Sequence, residues 1–266
     1  MTRLLVCPPK YYRIAYEINS WMHLEVAADP LVAGVQWDNL MAVLTKECAA
    51  VLERLDPAPE VPDLVFTANA AAVAGSTVVL SRFRHPERRL EEAYYERWFA
   101  GHGYIVQRLP EGLYFEGAGD LLEVGGVRFG GYRQRTDIRA YEHVSRLLKC
   151  EVLPVELVDS RFYHLDTCFC PLSGGELLWF PPAFDQYGQA TIGDRVGASR
   201  RIPVVEEEAL RFACNAVSIE KHVVLPEGCP RTMAMLQEHG YTPQPVNLSE
   251  FLKAGGSAKC LTLRLD

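Results

Sequence analysis

The sequence predicts an α/β fold in which one unit of strand hairpin and helix is repeated five times around an axis. Hairpin-like segments alternate with helical patterns along the 266 residues. A polar residue also stands at or just before each hairpin, at separations of 47, 48, 51 and 45 positions: Asn69, Glu116, His164, Asn215 and Cys260. A period of about 50 residues is typical of radial or stacked repeats. Units around an axis would bring these five side chains together.

The hairpins are predicted by β-forming residues on both sides of short polar or glycine turns. Four of them occupy residues 71–83, 120–132, 167–180 and 216–226. The last such stretch is CLTLRL at residues 260–265, and it could complete a unit only by pairing with TRLLVC at residues 2–7. That pairing would join the two ends of the chain and close a ring.

Helical patterns lie between the hairpins. The clearest covers residues 35–55, whose apolar positions fall on one helical face, and Pro57 and Pro59 would end it. Further helices are predicted over residues 86–100, 136–149 with Thr136 as N-cap, 204–213 and 230–239. Because any α/β protein of this length alternates hairpins with helices, the spacing alone leaves open whether the units form a ring.

The composition favours a small molecule as the partner. A formal charge of −7 and the absence of a Lys/Arg run argue against nucleic acid or an anionic membrane surface. The N-terminal apolar run, LLVC, stops at two prolines and is too short for a signal peptide or a membrane span. Eight scattered cysteines predict reduced thiols and a cytoplasmic protein. The sequence leaves a homo-oligomer possible.

Cys260 is the candidate nucleophile. Small residues precede it in GGSAKC, and a tightly turned backbone there could expose the thiol at the start of a strand. A small buried core residue is the alternative for any single cysteine. A nucleophilic thiol needs a base or acid within hydrogen-bond reach, which His164 could supply. In the sequence HLD, His164 and Asp166 are predicted to point to the same face of one strand.

Further acids stand in the sequence FEGAGD, where Glu116 and Asp120 flank two glycines. A tight turn there would bring both carboxylates to one pocket, and they would repel each other unless a cation lay between them. A guanidinium is a planar cation that carboxylates bind in bidentate fashion and whose carbon a thiolate can attack. Arginine and its relatives are therefore the substrates that these residues predict.

An amino-acid substrate also needs a partner for its own carboxylate. Arg88 and Arg135 follow the first two hairpins and are candidates, and a solvated surface charge is the alternative for each. A metal is not expected in HLDTCFC, because alternate residues of a strand form a row with steps of about 6.6 Å rather than a tetrahedron. The expected chemistry needs neither a metal nor a cofactor.

Three motifs resemble those of a known superfamily: FEGAGD at 115–120, HLDTCF at 164–169 and GGSAKC at 255–260. They resemble the guanidino-group-modifying enzymes of the pentein fold, which include arginine deiminase, dimethylarginine hydrolase and the amidinotransferases. The resemblance implies a five-unit α/β propeller with a central active site, formed as a single catalytic domain over residues 1–266. The chain is most similar to the arginine dihydrolase domain of cyanobacterial arginine-to-ornithine proteins, in stretches such as CPPKYYRIAYEINSWM and EFLKAGGSAKCLTLR.

The resemblance also implies roles for the candidate residues. Cys260 would attack the guanidinium carbon, and His164 would protonate the departing amine and then activate water. Glu116 and Asp166 would grip the guanidinium nitrogens, and Asp120 is expected beside them. The clamp for the substrate carboxylate would consist of two arginines, Arg88 and Arg135.

Asn69 departs from the usual deiminase pattern, in which an aspartate at this place binds the guanidinium. An asparagine keeps an acceptor but removes a negative charge, which weakens the preference for a cation over a neutral ureido group. A citrulline-like product could then stay bound and be attacked again, releasing ornithine, ammonia and carbon dioxide. Asn19 is a second candidate for substrate contact, with a turn or cap asparagine as the alternative. Asn215 has no assigned role.

Two other functions are compatible with the sequence. The first is a single-step enzyme that forms citrulline from arginine or from methylated arginine. The second is a non-catalytic binding protein, since ribosome anti-association factors share the pentein fold without this chemistry. The presence of the cysteine, the histidine and the glutamate together argues against the second.

Overall fold

The structure is a computed structural model that describes residues 1–266, with fifteen strands and seven α-helices. The strands are β1 (Arg3–Val6), β2 (Val51–Arg54), β3 (Ala71–Ala74), β4 (Thr77–Leu80), β5 (Ile105–Gln107), β6 (Leu121–Val124), β7 (Val127–Tyr132), β8 (Val152–Glu156), β9 (Phe169–Pro171), β10 (Leu177–Trp179), β11 (Arg201–Pro203), β12 (Val217–Ile219), β13 (His222–Pro226), β14 (Thr242–Val246) and β15 (Leu263–Arg264). The helices are α1 (Pro30–Lys46), α2 (Glu91–Gly101), α3 (Ala140–Leu148), α4 (Gln186–Arg195), α5 (Glu206–Ala209), α6 (Pro230–Glu238) and α7 (Ser249–Leu252).

The strands form five separate three-stranded sheets with one common design. Their orders are β15-β1-β2, β3-β4-β5, β6-β7-β8, β9-β10-β11 and β12-β13-β14. In each sheet the first two strands are antiparallel, and the third lies parallel to the central strand after an intervening helix. All four internal hairpins form where they were predicted. The five-unit α/β fold expected from the repeat is confirmed.

The first sheet joins the two ends of the chain. β15 pairs antiparallel with β1, with Leu4 opposite Arg264 and Leu5 opposite Leu263. The five sheets surround a cavity of about 380 Å³, and each contributes to its wall, through Leu4, Val73, Leu122, Cys170 and Val217 respectively. We call this space the axial cavity. A cavity that touches all five sheets is what a closed ring requires.

The prediction of a helix over residues 35–55 is wrong at both ends. α1 begins at Pro30, where the Asp29 side chain accepts hydrogen bonds from two backbone N–H groups, and it ends at Lys46. Ala49 then takes a left-handed backbone conformation with φ of 52°. Residues 51–54 form β2, which lies parallel to β1. The free edge of β1 offers hydrogen bonds that outweigh the helical pattern of this stretch.

Helix α1 covers the boundary between two neighbouring units. Its apolar face, with Trp37, Leu40 and Leu44, is buried in one cluster with Val6 of the first sheet and Val224 of the fifth. Burial of one such side chain contributes about 1.5–3 kcal/mol to folding. The same arrangement explains why the pattern of α1 was the clearest of the predicted helices.

Three of the other predicted helices are shorter than expected. The stretch 86–100 divides into a 3₁₀ turn at Pro86–Arg88 followed by α2, and 204–213 contains only the four residues of α5. α3 starts at Ala140, so Thr136 is not its N-cap. The prediction for 230–239 is confirmed by α6. None of the seven helices combines the length and apolar character needed to cross a membrane.

The strand predicted through HLDTCFC is also wrong over its first half. His164 has extended backbone, but Leu165–Thr167 form a 3₁₀ turn, and β9 starts only at Phe169. Similar turns precede the hairpins of two other units, at Thr67–Asn69 and Gly117–Gly119. The polar residues of the repeat therefore lie in or beside turns at the start of a hairpin, rather than along strands.

Candidate active site

The Cys260 thiol is buried in the segment before β15, with 2% of the residue exposed. Asn215 Nδ2 donates to its sulfur at 3.1 Å, and the two carboxylate oxygens of Asp166 lie 3.7 and 3.8 Å from it. Asn215 Oδ1 accepts from the backbone N–H groups of Ser257 and Cys260 at 2.9 and 3.1 Å. Asn215, to which the sequence assigned no role, thus fixes the loop that carries the thiol.

Burial governs the protonation of the thiol and of its acidic neighbour. It raises the pKa of Cys260 well above the ordinary value, and the nearby Asp166 charge raises it further. Burial also raises the pKa of Asp166 to about 7, against the opposing charge of Lys259. The thiol is therefore neutral at pH 7, and a cation placed between the two groups would favour ionisation of both.

His164, Glu116 and Arg135 form a second buried group. His164 Nε2 lies 2.7 Å from Glu116 Oε2, and Arg135 Nη1 donates to the same oxygen at 3.1 Å. Burial opposes the charge of Glu116, but the Arg135 guanidinium and the His164 hydrogen bond outweigh it and hold the pKa of this carboxyl well below its usual range. Burial lowers the pKa of His164 to about 4, although Glu116 partly opposes this.

The tautomer of His164 follows from this pairing. At neutral pH Glu116 is ionised and accepts a hydrogen bond, so Nε2 of the neutral ring carries the proton. The other nitrogen, Nδ1, keeps its lone pair and can accept a proton. A neutral imidazole oriented by a carboxylate is the arrangement that general acid–base catalysis uses.

The two arginines that the sequence selected are buried and lie at the same cavity as Cys260, each with 3% exposure. This excludes the alternative of a solvated surface charge for both. Arg88 donates to both carboxylate oxygens of Glu91 at 2.8 and 2.7 Å, and to Asn69 Oδ1 at 3.0 Å. Arg135 also donates to the backbone oxygen of Ile18 at 2.9 Å. Their guanidinium groups are therefore held in fixed positions.

We call this space the active-site cavity. Its wall is formed by Ile18, Asn19, Asp63, Phe66, Asn69, Arg88, Arg135, Tyr163, Ala254 and Cys260. The centre of a water molecule could move within only about 10 Å³ of this cavity. That is room for about one water. The site is closed in this structure, and an arginine-sized molecule needs part of the wall to move.

Asn19 and Asn69 both line this cavity, with their amides already engaged. Asn19 Oδ1 accepts from the backbone N–H groups of Trp21 and Met22, and its Nδ2 donates to the Ala254 oxygen. Asn19 thus fulfils the turn role that was its alternative. Asn69 Nδ2 donates to the Glu116 backbone oxygen at 3.3 Å.

The glycines of FEGAGD permit the close approach around Asn69. Gly117 has φ of 63°, and a side chain on Gly119 would clash with the amide of Asn69. Asp120, expected at the substrate, does not line the active-site cavity. Its oxygens accept from Thr136 Oγ1 at 2.6 Å and from the Leu165 N–H at 3.0 Å. The structure gives it a supporting position behind the turn.

Asp63 also belongs to the candidate active site, although it was not predicted from the sequence. It is 2% exposed and lines the active-site cavity, and its Oδ1 has no hydrogen-bond partner. Its Oδ2 lies 3.9 Å from Arg88 Nε. Burial raises its pKa, and Arg88 and the nearby Tyr16 hydroxyl oppose that shift. The signal was a single aspartate inside the apolar stretch VPDLVF, a few residues before Asn69.

The two cysteine thiols of HLDTCFC donate hydrogen bonds to backbone oxygens. Cys168 Sγ donates to the Leu165 oxygen, and Cys170 Sγ donates to the Ala216 oxygen at 3.4 Å. No group of three or more His, Cys, Asp or Glu side chains has an arrangement that could hold a metal ion. The geometry of HLDTCFC therefore offers no metal centre.

A closed ring of five hairpin-and-helix units is the pentein fold. The chain belongs to the dimethylarginine dimethylaminohydrolase family. The model of that family described as N,N dimethylarginine dimethylhydrolase, eukaryotic, matches residues 30–265. A relative in Mycobacterium tuberculosis, N(G),N(G)-dimethylarginine dimethylaminohydrolase, is 38% identical over 99% of this chain and 85% of its own length.

The chain is also similar to longer cyanobacterial proteins. It is 45% identical to the bifunctional arginine dihydrolase/ornithine cyclodeaminase ArgZ of Synechocystis, over 99% of this chain and 37% of the relative. The chain thus spans little more than a third of that relative. The crystal structure of the N-terminal domain of ArgZ, a cysteine-to-serine mutant bound to substrate, has a TM-score of 0.96 and 44% identity, and the match covers 100% of this chain and 98% of that domain.

Proposed function

We propose that this protein is a cofactor-independent hydrolase that attacks the guanidinium carbon of arginine and releases ornithine, ammonia and carbon dioxide. One observation carries the proposal: the Cys260 sulfur lies 3.7 Å from the Asp166 carboxylate and lines a cavity shared with two buried arginines and an unpartnered oxygen of Asp63. Positive and negative groups in one cavity suit an amino acid with a cationic side chain. The 45% identity to a bifunctional arginine dihydrolase supports the same substrate.

Each charged group of arginine has a complementary partner in this arrangement. The guanidinium lies between Asp166 and Glu116, where it can form charge-assisted hydrogen bonds. The substrate carboxylate pairs with Arg88 and Arg135, and its ammonium group pairs with the free oxygen of Asp63. Agmatine lacks the carboxylate and leaves the two arginines unsatisfied, so it is expected to bind more weakly.

The first hydrolysis uses Cys260 and His164. The bound cation favours transfer of the thiol proton to the free Nδ1 of His164, and the thiolate forms a bond to the guanidinium carbon. His164 delivers a proton to the departing nitrogen, the carbon–nitrogen bond breaks, and ammonia leaves behind an amidino-thioether. Water then gives a proton to His164 as it attacks the same carbon. The carbon–sulfur bond breaks, which yields citrulline and restores the thiol.

A second attack gives ornithine. Asn69 places a neutral amide at the cavity where an aspartate would favour a cation, so neutral citrulline can remain bound. Cys260 attacks its ureido carbon, ornithine departs with a proton from His164, and water releases carbamic acid from the sulfur. Carbamic acid decomposes to ammonia and carbon dioxide. In total, one arginine and two waters give one ornithine, two ammonia molecules and one carbon dioxide.

Mass spectrometry of the products tests this proposal. Purified protein given arginine should form ornithine without accumulating citrulline, and it should act more slowly on dimethylarginine and agmatine. Cys260→Ser should abolish turnover and leave the fold intact, whereas the partly exposed Cys150 can be replaced by serine as the matched control. Accumulation of citrulline alone would disprove the second step, and an active Cys260→Ser variant would disprove the nucleophile.

The second candidate is hydrolysis of dimethylarginine to citrulline. It is favoured by the family model and by the 38% identical relative in Mycobacterium tuberculosis, whose name gives that activity. The same product panel separates the two candidates, because a dimethylarginine hydrolase would consume dimethylarginine in preference to arginine. All eight cysteines are free thiols, which supports a reducing compartment such as the cytoplasm for either reaction.

A further inference from the structure

Lys259 is a neighbour of the catalytic thiol, on the side of the axial cavity. It directly precedes Cys260, and its backbone N–H donates to the backbone carbonyl oxygen of Asn215 at 3.2 Å. Its side chain lines the axial cavity, whereas Cys260 lines the active-site cavity, and the two cavities share no residue. Lys259 therefore stands in the partition between the two cavities.

The ammonium group of Lys259 is buried and has no hydrogen-bond partner. An isolated buried charge is costly, so such a group persists where nearby negative charge compensates it. The other cations near the site are already paired, because Arg88 binds Glu91 and Arg135 binds Glu116. Lys259 is thus the uncommitted positive charge next to Cys260.

The groups around Asp166 show what this charge acts on. They come from four segments of the chain, and they are Asp120, Tyr163, Cys168, Cys170, Asn215, Lys259 and Cys260. Lys259 is the only cation in this set. Its charge opposes the rise that burial causes in the pKa of Asp166 and of Cys260. Both groups must be ionised when a guanidinium is attacked.

We infer that Lys259 is a positioning residue for the proposed reaction: from the partition between the cavities, its ammonium group keeps Asp166 ionised and stabilises the Cys260 thiolate. The inference rests on the proposed function for its effect on turnover. The ammonium acts through Asp166 and Cys260 and does not touch the substrate.

The test compares Lys259→Met with Lys259→Arg over a range of about pH 6 to about pH 9. Ionisation of Asp166, with its pKa of about 7, should form the acidic limb of the kcat/KM profile for arginine. In Lys259→Met this acidic limb should move to higher pH by about one pH unit. The kcat/KM value on the limb should then fall about tenfold at a given pH and largely recover at high pH. Lys259→Arg keeps the charge and should retain the wild-type limb. Arg264→Met removes an exposed cation from the same axial cavity and serves as the control.

A second measurement keeps the inference separate from the proposed function. Without substrate, the rate at which iodoacetamide alkylates Cys260, followed by mass spectrometry of its peptide, reports the thiolate fraction. It should fall about tenfold in Lys259→Met and stay unchanged in Lys259→Arg and Arg264→Met. If wild-type protein ignores arginine, the proposed function fails while this comparison still holds. An unshifted acidic limb or an unchanged alkylation rate in Lys259→Met overturns the inference. If Lys259→Met does not fold, Lys259→Gln is measured in its place.

Discussion

The Asn215 amide is the strongest single support of the loop that carries the thiol, and its removal gives the sharpest test of that geometry. Asn215 is fully buried, and its side chain donates to the Asp166 backbone oxygen at 3.0 Å and accepts from the backbone N–H groups of Ser257 and Cys260. Asn215→Ala leaves these three backbone groups without their partner in a place that water reaches poorly. The perturbation is therefore confined to one side chain and four known hydrogen bonds, the fourth being the 3.1 Å bond from the Asn215 amide to the Cys260 sulfur.

The expected cost follows from the number of groups left unpaired. Each buried unsatisfied backbone group costs about 1–3 kcal/mol, and relaxation of the loop recovers part of the sum, so the free energy of unfolding should fall by about 2–5 kcal/mol. With an m-value of about 3 kcal/mol/M, the urea midpoint should move down by about 1 M. That is a large share of the total stability of about 5–15 kcal/mol that is usual for a folded domain.

Urea unfolding followed by tryptophan fluorescence measures this change, and alkylation of Cys260 reports the loop. The thiol should react faster in Asn215→Ala because its segment loses its anchor. Gln244→Ala is the matched control, since that amide makes only a 3.2 Å contact with His222 and is half-buried. It should stay within about 0.5 kcal/mol of the wild type. A midpoint for Asn215→Ala as close to the wild type as that control, with unchanged alkylation, would refute the role of this amide.

Three further outcomes are expected from other residues. Glu116→Gln leaves Arg135 and His164 without their anion and should lower the free energy of unfolding by about 3 kcal/mol at pH 7. Because the folded pKa of Glu116 is depressed, its contribution is lost as pH falls below the ordinary glutamate value, so urea melts of the two proteins should converge in acid. Asp63→Asn should raise the KM for arginine about tenfold with little change in kcat; an unchanged KM contradicts its contact with the substrate. Asn69→Asp should make citrulline accumulate in the product assay, and unaltered ornithine formation would contradict the role of the neutral amide.

The hairpins were predictable because their signals are local. Glycine and polar turns between β-forming residues place a hairpin wherever they occur, and a regular spacing then indicates the repeat. Residues 51–54 were wrongly predicted to be helical. Their apolar spacing fits a helix, but pairing with the edge of β1 stabilises the strand more. Likewise, His164 and Asp166 were assigned to a strand, although the 3₁₀ turn at Leu165–Thr167 depends on contacts with other units.

The residues of the candidate site also divide into those that local sequence motifs predict and those that only the folded structure reveals. Cys260, His164 and Glu116 were selected from sequence because their motifs carry recognisable chemistry, and the structure brings His164 and Glu116 to 2.7 Å. Asp63 and the anchoring role of Asn215 were not predictable, because they depend on which polar atoms find a partner after folding. That information exists only once segments distant in the chain have met.

The pairing of β15 with β1 has a consequence for biosynthesis. Leu4 must wait until Arg264, 260 positions further along the chain, has been made before its sheet is complete. Contacts between such distant positions form slowly because a very long loop must close. Cys260 lies just ahead of β15, and its placement depends on the same late event. Until β15 pairs with β1, the Cys260 sulfur therefore lacks the fixed contacts with Asn215 and Asp166 that the folded chain provides.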